Sequence, residues 1–401
     1  MTQPPPPPPP TDLDKSDGAV LRSDVTAGAI EEHRFPCSNC GSDMRFAPGG
    51  AGLECPHCGA TEALDPDDSA PDAIPELDFR QALADQLPAA QMEETRVLSC
   101  DSCGAQVEFD AVTHAKECPF CASPVVTDTG THRHIKPRAV LPFSLKGKQA
   151  RDAMEAWLGK LWFAPNGLKE FARKGRPLQG IYLPYWTYDA DTKTQFTGRR
   201  GDVYYVTRTR VDSDGNTETY QEEQVRWTNV SGRVARVFDD VLVLASQSLP
   251  REHTEALEPW DLSELRPYAP EFLAGFRAEG YAIGLEDGYD HARQKMDAVI
   301  RRDVRFKIGG DRQKITSMDT DVSDVTFKHV LLPVWLAAYR FRGKAYRCVI
   351  NGRTGRVQGE RPWSVAKIAL AVLAGFLLAA TIGYVYAVSQ GALPAPAIPG
   401  L

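Results

Sequence analysis

The sequence lacks a large basic surplus, any familiar catalytic signature, and more than one long apolar run. Each shortage removes a class of function. Its 401 residues carry 46 Lys and Arg against 53 Asp and Glu, a formal net charge of −7. Residues 61–97 alone hold ten acidic and two basic side chains, so the remainder is close to neutral. A dedicated nucleic-acid binder needs clustered basic residues, and neither half supplies them. No G-x-x-x-x-G-K-S/T loop occurs, and Gly147-Lys148-Gln149 is not one, which excludes a P-loop ATPase. No G-x-S-x-G and no H-E-x-x-H occurs. No basic stretch followed by an apolar one opens the chain, so no cleaved secretory signal is expected.

What is present divides into distinct stretches. Residues 1–34 are rich in Pro, Asp, Ser and Gly, with seven consecutive prolines from Pro4 to Pro10. This arm is expected to be disordered, its proline run in polyproline II. At the other end, Ile368 to Val388 is 21 residues without a charge. A helix of that length covers ~31 Å, one hydrocarbon core, so residues 365–388 are read as a transmembrane helix. Lys367 sits where it can snorkel, and Tyr384 and Tyr386 where aromatic belts form. Residues 342–367 carry seven basic side chains against Glu360, and residues 389–401 carry no charge. The positive-inside rule then places the N-terminal bulk in the cytoplasm, on a single-pass inner-membrane protein with a short extracytoplasmic tail. Ala371, Gly375, Ala379, Gly383 and Ala387 form a stripe of small residues through the span that favours helix packing, including a homo-oligomer.

Eight of the nine cysteines follow one pattern. Cys37, Cys40, Cys55 and Cys58 are repeated, 63 residues on, as Cys100, Cys103, Cys118 and Cys121. Flanking residues repeat too: Gly41 with Gly104, Phe46 with Phe109, and Glu54-Cys55-Pro56 with Glu117-Cys118-Pro119. Two C-x-x-C knuckles complete a tetrahedron of thiolates around Zn²⁺, and metal binding supplies the folding free energy that so short a unit lacks. Two structural Zn²⁺ ions are expected, in zinc ribbons at 35–61 and 98–126. His57 and His114 are bystanders, because the thiolates already fill each site. Cys348, in a strand-like run, is read as a buried thiol.

Between and beyond these modules lie an acidic linker at 62–97, with a short helix around Glu76 to Leu87, and a basic linker at 127–139. Residues 140–362 read as one α+β domain, β-rich with a helical insertion. Helices are expected at 148–163 and 286–303. Strands are expected at 181–188, 202–210, 224–230, 234–245, 303–308 and 327–341. A final hairpin joins 344–350 to 355–358 through Asn351-Gly352. A weak repeat matches Ile181, Leu183, Pro184 and Trp186 with Val330, Leu332, Pro333 and Trp335. It suggests two related sheet elements, with the prolines on edge strands or bulges. No catalytic residues stand out.

Several runs together resemble a bacterial family of membrane-anchored double zinc-ribbon proteins. They are the two cysteine modules, Gly180-Ile181-Tyr182-Leu183-Pro184-Tyr185-Trp186, Gly201-Asp202-Val203-Tyr204-Tyr205, Phe238-Asp239-Asp240-Val241, Leu331-Leu332-Pro333-Val334-Trp335 and Asn351-Gly352-x-Thr354-Gly355. Members are commonly labelled primosomal protein N-prime (replication factor Y) superfamily II helicase, or transcription-factor-IIB-type zinc-ribbon protein. The resemblance covers about residues 35–365. The helicase label does not transfer to a chain without a phosphate-binding loop. The resemblance implies companions of flotillin-like or membrane-stress type. The expected function is a membrane-tethered adaptor without catalysis, docking a protein partner at the cytoplasmic face of the bilayer. A membrane-localised nucleic-acid binder and a hydrolase in the α+β domain are the alternatives, and charge disfavours the first.

Overall fold

A computed structural model describes residues 35–50, 52–64, 74–84, 86–88, 91–100, 106–108, 127–165, 178–211, 217–341 and 344–389. The proline arm, Cys103, Cys118, Cys121, His114 and residues 390–401 lie outside the described residues. The fold is strand-rich, with few helices.

Residues 35–64 form a small antiparallel sheet of β1 (Arg45–Phe46), β2 (Gly52–Glu54) and β3 (Thr61–Ala63). The acidic stretch is not all linker. Within it, β4 (Leu77–Asp78) joins the main sheet, and α1 (Phe79–Leu83) follows, its first turn capped by the Asp78 carboxylate. A second three-stranded sheet comprises β5 (Met92–Ser99), β6 (Gln106–Glu108) and β7 (Thr127–Ile135). Most of the supposed basic linker is therefore strand β7, paired with β5.

The body follows in the order β8 (Ala139–Val140), α2 (Gly147–Lys160), β9 (Gln179–Val211), β10 (Thr217–Leu244), α3 (Arg251–Glu255), β11 (Arg266–Pro267), β12 (Arg277–Ala278), α4 (Leu285–Ile308), β13 (Arg312–Phe341), β14 (Lys344–Asn351) and β15 (Val357–Gly359). The main path of the sheet runs β10-β9-β13-β14-β15. The final helix, α5 (Val365–Ser389), is exposed from Ile368 to Tyr386; Val365–Ala387 is long and apolar enough to cross a membrane.

The body is built twice. Segments β8–α2–β9–β10 and β12–α4–β13–β14 have the same order, and β9 pairs antiparallel with β13. The weak sequence repeat lies on this seam. Leu183 faces Leu332, Ile181 faces Val334 and Tyr185 faces Val330, so a pseudo-twofold axis passes through the Leu183–Leu332 pair. Other contacts obey it. Strand β12 runs parallel to β9 at Ile181 and Tyr182, and β8 runs parallel to β13 at Val330 and Leu331. Trp186 donates its indole N–H to the carbonyl of Ile283, and Trp335 donates to that of Leu145, each 3.0 Å and just ahead of a helix of the opposite half.

The prolines expected at edges sit instead in the two central strands. The Pro184 carbonyl accepts from Ala245 N–H, and the Pro333 carbonyl from Gly352 N–H. In a strand, N–H and C=O of one residue point to the same side. Each missing donor therefore faces the place where the flanking strand, β10 or β14, ends, and costs no ladder bond.

The helices are exchanged between halves. Helix α2 packs against β14 and β15, burying Ala150, Met154 and Leu158 with Cys348, Ile350 and Val357. Helix α4 packs against β9 and β10, burying Ala292, Met296, Ile300, Val304 and Ile308 with Phe196 and Phe238. That i, i+4 stripe carries α4 through the predicted strand at 303–308. Val304, Phe306 and Ile308 alternate like a strand, but only Val304 and Ile308 are buried, and Phe306 is 90 % exposed.

The expected strands 181–188 and 202–210 belong to one 33-residue strand, β9, and 224–230 and 234–245 to β10. Strand β13 accompanies β9 only as far as the Arg312–Gly201 pair. Beyond it, Val203–Val211 and Thr217–Val225 continue as a two-stranded arm with exposed Tyr205, Val211 and Tyr220.

Candidate metal centre

The first cysteine module converges as its spacing requires. The side chains of Cys37, Cys40, Cys55 and Cys58 lie within 4.8 Å of one another. Sγ of Cys37 is 3.6 Å from that of Cys58, and Sγ of Cys40 is 3.5 Å from that of Cys55. Four thiolates held ~2.3 Å from one tetrahedral ion stand ~3.8 Å apart, so the group fits a metal.

Two equivalent knuckles produce this. Gly41 N–H donates to Cys37 C=O at 2.8 Å and Gly59 N–H to Cys55 C=O at 3.0 Å. Each turn closes when Cys37 N–H donates to Ser42 C=O and Cys55 N–H to Ala60 C=O. Gly41 and Gly59 have φ of 75° and 74°, with open space around a would-be Cβ. Backbone conformation, not crowding, selects glycine there. Hydrogen bonds, first that with the Ser42 backbone, pull the Cys40 thiol down to about 6, which favours the ligating thiolate. Cys37 and Cys55 are buried and Cys40 and Cys58 exposed, so the group lies at the module's rim.

The module packs into the body. Phe46 N–H donates to Ala274 C=O and Gly49 N–H to Phe143 C=O. The Phe46 ring lies 5.4 Å from that of Phe272. Cys37, Met44, Phe46, Leu53 and Cys55 share one apolar cluster with Val140, Phe143 and Tyr182. The zinc ribbon expected at 35–61 and the α+β domain expected at 140–362 thus share one apolar core.

A cleft of about 630 Å³ opens at this seam. Arg45 and Glu54 line it from the module, and Lys146, Arg277, Phe276 and Trp335 from the body. Three cationic groups thus face one carboxylate over an aromatic floor. No single segment carries this arrangement, and only the fold reveals it.

Of the second module, Cys100 is buried at the end of β5 in a cluster with Leu141 and Ile181. Among the described residues one four-cysteine group is seen. Cys348 is buried as expected, and burial pushes its thiol up to about 12, far from reactivity at neutral pH.

A second charged cluster escaped the sequence. Carboxylates of Asp189, Asp239 and Asp240 lie within 4.8 Å of one another where β10 bulges between Phe238 and Val241. Asp240 has φ 53°, and its N–H donates to the Asp189 carboxylate. The Lys328 ammonium is 2.9 Å from Asp240, 3.1 Å from Glu76 and 3.8 Å from Asp189. Burial raises Asp189 to about 7; for Lys328 burial acts the other way, but its acidic partners, Asp240 foremost, outweigh it and lift the amine to about 12. Lys328 supplies the positive charge a metal would bring, so the cluster pins the bulge to β13.

No family model matches the chain. It is similar to the uncharacterized protein YdjG of Bacillus subtilis (strain 168), 26 % identical over 339 residues that span 84 % of this chain and 92 % of that relative.

Proposed function

We propose that this is a membrane-tethered zinc-ribbon adaptor that docks a protein partner without catalysis. The cleft at the seam of module and body carries this reading. Cys37, Cys40, Cys55 and Cys58 would hold a structural Zn²⁺, and no thiolate position stays open for substrate. Cys100, Cys103, Cys118 and Cys121 would hold a second. Zinc at the first site would fix Arg45 and Phe46 opposite Lys146 and Arg277. Three cations over aromatic rings suit an acidic segment with an apolar side chain. Helix α5 would tether the body to the inner membrane, and the basic residues ahead of it favour a cytoplasmic bulk.

Four measurements test the reading. Elemental analysis should find two zinc ions per chain, and X-ray absorption four sulfur ligands at ~2.3 Å; one metal or none removes the double ribbon. A reporter fused after Leu401 should be active only outside the cytoplasm. A photo-crosslinking residue at position 45 should capture a partner in native membranes, and Lys146→Glu with Arg277→Glu should reduce capture about tenfold. Undiminished capture would place the partner elsewhere.

A further inference from the structure

Two exposed tryptophans lie on the two segments that join where the apolar helix begins. Trp162 is 79 % exposed and Trp363 54 % exposed. They are far apart in sequence, and named contacts bring them together. After α2, the chain turns at Leu161–Pro165, held by Trp162 N–H donating to Lys160 C=O and Ala164 N–H to Leu161 C=O. Ala164 is buried in the apolar cluster that holds α2, which ties this turn to the body. Ser364 N–H then donates to Phe163 C=O at 2.8 Å. The Lys367 ammonium donates to the carbonyls of Ala164 at 2.8 Å and Trp162 at 3.3 Å. The Phe163 and Trp363 rings lie 6.4 Å apart, and the Arg361 guanidinium covers Trp363 at 4.2 Å.

Lys367 therefore does not reach for headgroups; it fastens the turn to the first turn of α5. The turn is thereby held beside Ser364 and Lys367, the residue before the helix and the third residue within it. Two indoles turned outward at that level, beside Lys160 and Arg361, have the chemistry of a bilayer interface. Such rings lie in the headgroup region with their N–H groups wet, and the cations favour anionic lipid. A water-facing surface gains nothing from two exposed indoles on a braced turn.

We propose that Trp162 and Trp363 seat the body on the interface of the bilayer that α5 enters, so the C-terminal end of α2 faces the lipid. This rests on reading α5 as a span, and the test separates the two ideas. The full chain is reconstituted in phosphatidylcholine–phosphatidylglycerol vesicles brominated at shallow or deep acyl positions. Tryptophan emission of the parent minus that of Trp162→Phe isolates Trp162; at 79 % exposure the substitution leaves the fold intact. Trp227 on β10, which pairs with Gly201, serves as the control through Trp227→Phe.

The Trp162 difference signal should be blue-shifted and quenched about twofold more by shallow than by deep bromines, with Trp227 unquenched. Lys367→Ala should halve that quenching while the protein still resists alkaline carbonate extraction. Unquenched Trp162 in carbonate-resistant protein would overturn the seat and leave the span standing. Carbonate release of the parent would overturn both. A blue shift in detergent that grows with protein concentration would assign the turn to a second copy and overturn the lipid seat.

Discussion

The two halves of the body repeat one scaffold but close it differently. In the half around Trp186, the strand itself fills the space beneath the indole. His329 lies 4.9 Å from Trp186 and 5.4 Å from Tyr281, and its Nδ1 pairs with Ile135 C=O at 2.8 Å. In the half around Trp335, the place of His329 on the strand belongs to Gly180. A Cβ on Gly180 would come within 2.3 Å of Phe276, whose ring fills the gap from a loop and stacks on Phe143 at 4.3 Å. One half is thus a sealed core. The other is completed by a loop that also carries the cysteine module, and there the cleft opens. The two copies of the joint thus differ at one strand position, histidine in one and glycine in the other, and the cleft borders the copy with glycine.

The sharpest way to break the comparison is to remove the two tryptophans. Trp186 is fully buried, and Trp186→Ala should cost about 3–5 kcal/mol in denaturant unfolding in detergent. Trp335 borders the cleft, so Trp335→Ala should cost less and should enlarge the cleft. Equal losses would mean the halves are equally closed. Next, Gly180→Ala should cost about 1–3 kcal/mol by pushing Phe276 off Phe143, and Phe276→Ala in the same chain should recover part of the loss. Third, Cys55→Ser or metal removal should raise hydrogen exchange at residues 270–276 about tenfold, ~1.4 kcal/mol of local opening. Exchange in α4 should stay unchanged, since it packs on the sealed half.

The smallest effect is a pH slope. Burial pushes His329 down to about 4, from an ordinary value near 6.5. Between these values the unfolded chain binds more protons than the folded one, so this group makes stability rise with pH from about 4 to 6.5. Asp189, raised to about 7, has the opposite slope between about 4 and 7. The two slopes oppose each other over the shared range, so His329→Phe should leave stability falling with pH there and Asp189→Asn should leave it rising, as read from melting temperature against pH.

What the sequence disclosed follows the range of the interactions. The four cysteines of the first module were legible because their chemistry is encoded in spacing along a few residues. The helices α2 and α4 were legible from their stripes. Strand 303–308 was misread because Val304, Phe306 and Ile308 satisfy both periods, and only burial chooses between them. Pro184 and Pro333 were placed at edges because a one-dimensional pattern cannot say where a neighbouring strand stops. The Lys328 cluster and the cleft draw on residues from Arg45 to Trp335, which meet through the pairing of β4, β9, β10 and β13 in one sheet and through the packing of the cysteine module on the body.

The exchanged helices also set a timetable for biosynthesis. Helix α2 waits for β14, and β9 with β10 waits for α4 and β13, so neither half can bury its core alone. At ~5–20 residues per second, the first half leaves the ribosome on the order of ten seconds before its partner. During that interval β9 offers an unpaired edge and Trp186, Tyr185 and Tyr188 lack their cover, the conditions under which chains associate wrongly. The last strand is followed almost at once by α5, so the body closes as the apolar helix emerges. Slowing translation after β10 should therefore lower the yield of folded protein more than slowing it after β15.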